Sequence, residues 1–393
     1  MSPRRRCIWC CRLQCGAGYF EKEKKTFCKV VMKISFPSSI AEINLDSAVL
    51  NLKEIRSRSA GKKILSVVKC DAYSHGAPQI SKAIEENTDW YAVASVDEGI
   101  QLRMSGIRKP ILVFAAPGYE TAAAYQTHGL TASVSDLSHF STLMDGTSYH
   151  LNFDTGMGRL GFFPEDAEEV RRMAVVNQRL LCRGIYSHFA TADDPGSAAV
   201  AEQHERFRSV LSHFSEIPLV HMSNTGAVVN YPDLDHFDMV RTGLGMLGYS
   251  SGSTRYSWLK PVLKWTTELA QVRRIKKGTS VSYGSTWKAP EEGYLATLPV
   301  GYGDGVPRTL SNRLMVWIDG EYYPQVGRVT MDMMMIFLGN KKLPVKSEVH
   351  LLGGGGWNAH DWAETTETNV HEILTNLTLR VGRVYLQSRY SEN

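Results

Sequence analysis

A lysine at the end of a short apolar run is the first residue of this chain whose setting could give it chemistry. The run Ile64-Leu65-Ser66-Val67-Val68 is too short for a helix and rich in β-branched residues, so it predicts a buried strand, with Lys69 at its end. An amine partly withdrawn from water holds its proton less tightly and becomes a nucleophile or a base. Tyr73 and His75 follow in the next loop. Further along, Asp154-Thr155-Gly156-Met157-Gly158-Arg159-Leu160-Gly161 sets an arginine in a glycine-rich turn, and His188 ends another apolar run. Two more stretches, Ser223-Asn224-Thr225-Gly226 and Arg241-Thr242-Gly243-Leu244-Gly245, combine hydroxyls with glycines. Hydroxyls, backbone N–H groups and glycines that permit close approach are the groups that hold a phosphate.

Each stretch alone reads as an ordinary turn; their common position gives them weight. From residue 36, helical patterns alternate with apolar runs at Lys63 to Lys69, Trp90 to Ser95, Pro110 to Ala115, Leu130 to Val134, Tyr149 to Phe153, Leu181 to His188, Pro218 to Met222 and Phe237 to Arg241. Asp46 is expected to cap a helix over Ser47 to Ser59. Eight strands separated by crossover-length segments predict an α/β fold, a closed (β/α)8 TIM-like barrel over residues 36–260, with an open doubly wound sheet as the alternative. A barrel concentrates chemistry at the C-terminal ends of its strands and phosphate binding after strands seven and eight. Lys69 falls after strand one, Arg159 after strand five, His188 at the end of strand six, Asn224 and Thr225 after strand seven, and Arg241, Gly243 and Leu244 at strand eight.

Beyond Trp258 to Pro261 the pattern changes to short strands, expected at Thr266 to Ile275, Ser280 to Tyr283, Leu295 to Pro299, Arg313 to Ile318, Met333 to Leu338 and Glu348 to Leu352. A last helix is expected over Val370 to Thr378. These make a mainly β domain over residues 261–393, on which residues 32–40 could pack. Its loops Ser282-Tyr283-Gly284, Val300-Gly301-Tyr302-Gly303-Asp304 and Thr330-Met331-Asp332 carry aromatic, charged or sulfur side chains. Taken alone they read as structural turns.

Charged residues make up 21% of the chain and the net charge is +4, with the basic residues dispersed after an N-terminal cluster, so nothing points to nucleic acid. No apolar run approaches the ~18 residues of a membrane span. Residues 1–31 hold five of the seven cysteines and Arg4-Arg5-Arg6. Their spacing lacks the second half of a zinc site, and Arg12 and Gln14 interrupt any secretory core. They read as a disordered extension, or as the product of a start assigned upstream of Met32. The two remaining cysteines, Cys70 and Cys182, are isolated, which suits a reducing cytoplasm.

Taken together, the motifs on both domains resemble alanine racemase, a fold-type III pyridoxal-phosphate family, over roughly residues 36–390. The resemblance implies a homodimer, with active sites completed across the interface. Lys69 would form a Schiff base with pyridoxal 5'-phosphate and act as one base, while Tyr283 of the other subunit would be the second. Arg159 would contact the cofactor's phenolic oxygen and the substrate carboxylate, which Met331 and Tyr302 would also approach. Tyr73, Asn224, Thr225, Gly243, Leu244 and Tyr385 would lie at the phosphate, with Arg241 on the pyridine nitrogen and His188 beside it. Asn152 stands where many members have a carbamylated lysine, Thr225 where serine is common, and Leu247 where tyrosine is common. Removing a proton from one face and returning one to the other needs two bases. The implied activity is interconversion of L- and D-alanine in the cytoplasm, supplying peptidoglycan synthesis. A serine or broad-specificity racemase is the nearest alternative, because one methyl group discriminates modestly. A decarboxylase of this architecture would carry a cysteine where Met331 stands, and a non-enzymatic pyridoxal-phosphate homeostasis protein would lack the β domain.

Overall fold

The computed structural model describes residues 27–31, 37–252 and 254–388. Its first half is the expected closed barrel of eight parallel strands: β1 (Lys63–Val67), β2 (Trp90–Val93), β3 (Ile111–Val113), β4 (Thr131–Val134), β5 (Ser148–Asn152), β6 (Leu181–Tyr186), β7 (Val220–His221) and β8 (Met239–Thr242). β8 closes on β1 with Arg241 opposite Leu65 and Thr242 opposite Ser66. Both faces of these strands are covered, so β1 is buried at Ile64, Leu65, Ser66 and Val67 alike. That is why it reads as a continuous apolar run rather than an alternation.

The helix Leu45–Arg58 is capped two residues earlier than expected. Asn44, not Asp46, accepts from Ser47 N at 3.0 Å, and the Asp46 carboxylate instead accepts from Ser388 N at 2.9 Å. The helix is thereby tied to the far end of the chain.

A ten-stranded sheet forms the second half, in the order Phe27–Val31, Gly382–Ser388, Ser39–Asn44, Leu263–Glu268, Glu348–Leu352, Met315–Ile318, Glu321–Val326, Met334–Phe337, Gly293–Leu298, Gln271–Ile275. Ser39–Asn44 alternates buried and half-buried residues and lies parallel to Gly382–Ser388, so the chain before the barrel belongs to this sheet. Residues 27–31, expected within a disordered extension, form its edge strand; residues 1–26 and 32–36 lie outside the described residues. The run expected as one strand over Thr266 to Ile275 divides at Leu269, whose N–H bonds Ser347 O while Ala270 N bonds Thr297 O. One side of the break pairs with Glu348–Leu352 and the other with Gly293–Leu298. The last helix ends at Thr375.

Candidate active site

The segment after β1 is a left-handed turn that the sequence does not announce. Cys70 through Ser74, none of them glycine, have φ between 50° and 64°. Left-handed backbone costs roughly 1–2 kcal/mol per residue, so it persists only where surrounding groups fix it. Several do so here. Ala72 N donates to Val68 O and Gly76 N to Asp71 O, each at 2.9 Å. The Glu98 carboxylate accepts from Cys70 N at 2.6 Å and from Ala94 N at 2.7 Å, while Asp71 Oδ1 accepts from Ala77 N at 2.7 Å. From the β domain, Arg383 reaches Ser74 O at 3.4 Å. The turn places Lys69 and Tyr73 on one cavity of about 420 Å³.

Arg159, His188, Asn224, Thr225, Arg241, Gly243 and Leu244 line the same cavity. Tyr73 is buried and its hydroxyl lies over Gly243, where a Cβ would come within 2.4 Å of the oxygen. Only glycine fits there. Burial, reinforced by Cys70 and Glu98, pushes the Tyr73 phenol far above its ordinary value, so it keeps its proton. Thr225 and Thr242 bring their hydroxyls to 3.1 Å, and Asn224 Oδ1 accepts from Ala227 N at 2.9 Å, fixing the turn that presents Thr225.

At another wall stands Arg241, buried and saturated at both terminal nitrogens. Nη2 donates to Ser187 O (2.7 Å), Met222 O (2.9 Å) and His188 Nδ1 (2.8 Å); Nη1 donates to His221 Nδ1 (2.9 Å) and His221 O (3.2 Å). Its Nε bonds to none of the described residues. Burial lowers its pKa to about 10, which leaves it charged at neutral pH. Burial and the charges of Arg241, Arg159 and Lys69 hold His188 well below the usual imidazole range, so it is neutral.

Arg159 rides on a turn built by Asp154, whose carboxylate accepts from the N–H groups of Gly156 (2.9 Å), Met157 (2.8 Å) and Arg159 (2.7 Å). Burial opposes ionisation of Asp154, but these bonds prevail and hold its carboxyl below the ordinary range. Asn152 Nδ2 donates to Leu160 O at 2.9 Å and braces the turn from below.

Four expected residues lie elsewhere. Tyr283, Tyr302 and Met331 do not line the cavity; they are exposed, Tyr283 by 73%, on one cluster of β-domain loops. Tyr302 N donates to Thr330 O at 3.0 Å, Gly303 N to Met331 O at 2.9 Å, and Ser282 Oγ to Arg328 O at 2.7 Å, so the three loops hold one another. Tyr385 is buried on the strand Gly382–Ser388 with its hydroxyl packed against Gly76, at the end of the left-handed turn, and does not line the cavity directly. The β-domain residue that does reach the cavity is His371, on the helix Val370–Thr375, with its ring 5.7 Å from that of Tyr73. Burial lowers its pKa, as does Lys69. No signal in the sequence marks it, since a histidine on a helix nearly 300 residues from Tyr73 looks like any other.

A half-buried lysine beside a set of hydroxyls and glycines around one cavity suits a phosphorylated group with a carbonyl that the amine can attack. Comparison with known proteins agrees. Residues 43–251 match the family model for the alanine racemase N-terminal domain and residues 262–385 that for its C-terminal domain. An alanine racemase of Symbiobacterium thermophilum is 36% identical over 367 residues, 88% of this chain and 96% of its own length. The crystal structure of alanine racemase from E. faecalis superposes with a TM-score of 0.85 at 30% identity, covering 90% of this chain and all of that one. That of Bartonella henselae alanine racemase with covalently bound pyridoxal phosphate has a TM-score of 0.82 at 26% identity, over 88% of this chain and 99% of its own. With both family halves matched in order and a relative this similar along nearly its whole length, this chain belongs to the alanine racemase family.

Proposed function

We propose that this chain is a pyridoxal-phosphate-dependent, homodimeric alanine racemase using two bases, Lys69 and the partner's Tyr283. The observation that carries the reading is the single cavity shared by Lys69, the hydroxyl cradle around Gly243, and Arg241. When bound, pyridoxal 5'-phosphate supplies an electron sink for the bond broken at the substrate's α-carbon. The rest is the work of the chain's own residues.

Lys69 is the attachment point for the cofactor's carbonyl carbon and the base on one face. Tyr73, Thr225, and the backbone of Gly243 and Leu244 hold the phosphate, with Asn224 shaping their turn. His371, on the cavity wall beside Tyr73, joins them, with Tyr385 at the end of the turn that carries Tyr73. Arg241, whose Nε is uncommitted, would face the ring nitrogen; since guanidinium does not give up its proton, it would leave that nitrogen unprotonated and so disfavour transamination. Arg159 holds the phenolic oxygen and the substrate carboxylate, steadied by Asp154 and Asn152.

Tyr283, Tyr302 and Met331 complete the partner's site rather than their own, which accounts for large side chains standing exposed on mutually braced loops. His188, its Nδ1 held by Arg241, keeps its N–H on Nε2, free to hydrogen-bond the phenol oxygen of the partner's Tyr283. The product supplies peptidoglycan synthesis from the cytoplasm, where Cys70 and Cys182, both unpaired, remain thiols. The test is α-proton exchange in D2O with L-alanine and, separately, L-serine. Wild type should exchange alanine faster and release D-alanine, and Tyr283→Phe should lose that activity from the L side. Tight cofactor binding without exchange on either amino acid refutes the racemase reading.

A further inference from the structure

Behind the cavity wall the contacts of Arg241 continue into the barrel. Nη1 donates to Nδ1 of His221, and Nε2 of His221 lies 2.8 Å from Nδ1 of His150 on β5. Both imidazoles are without solvent exposure. Tyr186 stacks on His221 with ring centroids 5.0 Å apart and planes at 11°, and Trp90 packs on His150, also at 5.0 Å. Gly184 on β6 leaves the room: a Cβ there would stand 2.9 Å from Cε1 and Nδ1 of His150. The barrel interior is shaped around this ring.

The protons in this chain follow from one asymmetry, that a guanidinium donates and never accepts. Nδ1 of His221 must therefore offer a lone pair to Arg241, and the proton of His221 sits on Nε2. That N–H points its hydrogen at His150, whose Nδ1 must accept. The proton of His150 is then on its own Nε2, which bonds to nothing among the described residues. A second proton on His150 would occupy Nδ1 and oppose the N–H of His221. Relieving that clash by moving the His221 proton to Nδ1 would set it against Arg241. Only one arrangement satisfies all three side chains, and it needs His150 neutral. Burial, followed by the charge of Arg241, lowers the pKa of His150 to about 3, in keeping with that state.

We propose that His150 is a positioning residue for racemisation: as terminal acceptor of the chain Arg241–His221–His150, it fixes the His221 tautomer and so the orientation in which Arg241 meets the cavity. This rests on the reading that Arg241 faces the cofactor ring; the order of protons does not.

The test has two arms. In the first, nitrogen-15 NMR of histidine-labelled purified enzyme reads the tautomers directly. His150 and His221 should both be neutral with protons on Nε2, and a proton on Nδ1 of either overturns the proposal. In the second, His150→Leu removes the acceptor while keeping bulk, and His150→Asn returns an oxygen near the place of Nδ1. Loss of one buried acceptor should lower kcat roughly tenfold, with little change in the KM for alanine and more turnovers ending in transamination. His150→Asn should restore most of that loss. Wild-type kcat and transamination in the leucine variant, or an asparagine variant as impaired as leucine, overturns it. Should His150→Leu not fold, His150→Ala takes its place and the first arm stands unaffected. A failure of the cofactor reading is separately visible, as Arg241 variants that racemise normally.

Discussion

Nη2 of Arg241 donates to Nδ1 of His188 at 2.8 Å, which assigns the imidazole's proton to Nε2, the nitrogen away from the arginine. One charged side chain thus orders a neutral histidine beside the cavity and, by the proposed mechanism, keeps the cofactor's ring nitrogen unprotonated. Arg241→Glu reverses both effects. Racemisation should fall by roughly a hundredfold, equivalent to about 3 kcal/mol of barrier, and pyruvate formed by transamination should rise. Arg241→Lys keeps the charge but not the fork that reaches five acceptors, and should lie between. Following D-alanine and pyruvate together over one time course checks this; an Arg241→Glu enzyme with unaltered partition between the two contradicts it.

The barrel was legible because its strands are buried on both faces and return at crossover spacing, and because glycine and hydroxyl clusters fall at the ends the fold favours. The conformation after Lys69 was not: the left-handed turn is imposed by Glu98, Asp71 and Arg383, which act from 28 to 309 residues away or from within the turn itself. The setting of Tyr385 was hidden for a related reason, since its motif fixes a strand position while the turn decides what its hydroxyl packs against. Strand Glu321–Val326 went unread because Pro324 argues against a paired strand, yet Pro324 sits opposite Met315 in the ladder. His371 required the two domains to be seen together.

Gly243 is the position where the cavity tolerates least. Its backbone (φ -126°, ψ -86°) lies outside the regions favoured by residues with a Cβ, and in Gly243→Ala the added methyl would also meet the Tyr73 hydroxyl at 2.4 Å. Either the phenol or the loop must move, and both belong to the proposed phosphate cradle. Cofactor affinity should fall at least tenfold, about 1.4 kcal/mol, in the fraction of protein that remains folded. Titration of apoprotein with pyridoxal 5'-phosphate by visible absorbance measures it, and wild-type affinity would show that the cradle lies elsewhere.

Acid should destabilise the fold before its carboxylates titrate. Burial lowers His75 to about 4 and His150 to about 3, from 6.5 in an unfolded chain. Between those values the unfolded chain binds more protons than the folded one, so stability is complete above about pH 6.5 and declines as pH falls below it. Each group contributes a slope approaching about 1.4 kcal/mol per pH unit. Urea unfolding from pH ~7.5 to ~5 should show this decline, and His150→Asn should make it shallower. A flat profile over that range would mean that these imidazoles accept protons without unfolding.

Arg380 joins the two loops proposed to enter the partner's site. Its Nε lies 3.2 Å from Asp304 Oδ1 and its Nη1 2.9 Å from Asp332 Oδ1. The pairing with Asp304 is one of charge, without hydrogen-bond geometry, and Asp304 is fully buried beneath the Tyr302 loop, its other oxygen accepting from Gly301 N at 2.9 Å. Asp332 follows Met331 directly, so a single guanidinium ties both loops to the strand end at Gly382. Arg380→Gln leaves Asp304 buried without a counter-charge, a change that should cost less than the ~3 kcal/mol of a fully buried pair because Arg380 is itself 47% exposed, and frees the Met331 loop. The expected result is a several-fold rise in the KM for alanine with a smaller change in kcat, because in the proposed mechanism these loops position substrate while Lys69 and Tyr283 move protons. Adding Asp304→Asn should recover part of the stability, since the two changes share one interaction, but not the KM. Steady-state kinetics and thermal unfolding of both variants decide the matter: a loss confined to kcat would mean that Arg380 acts on the bases and not on the loops.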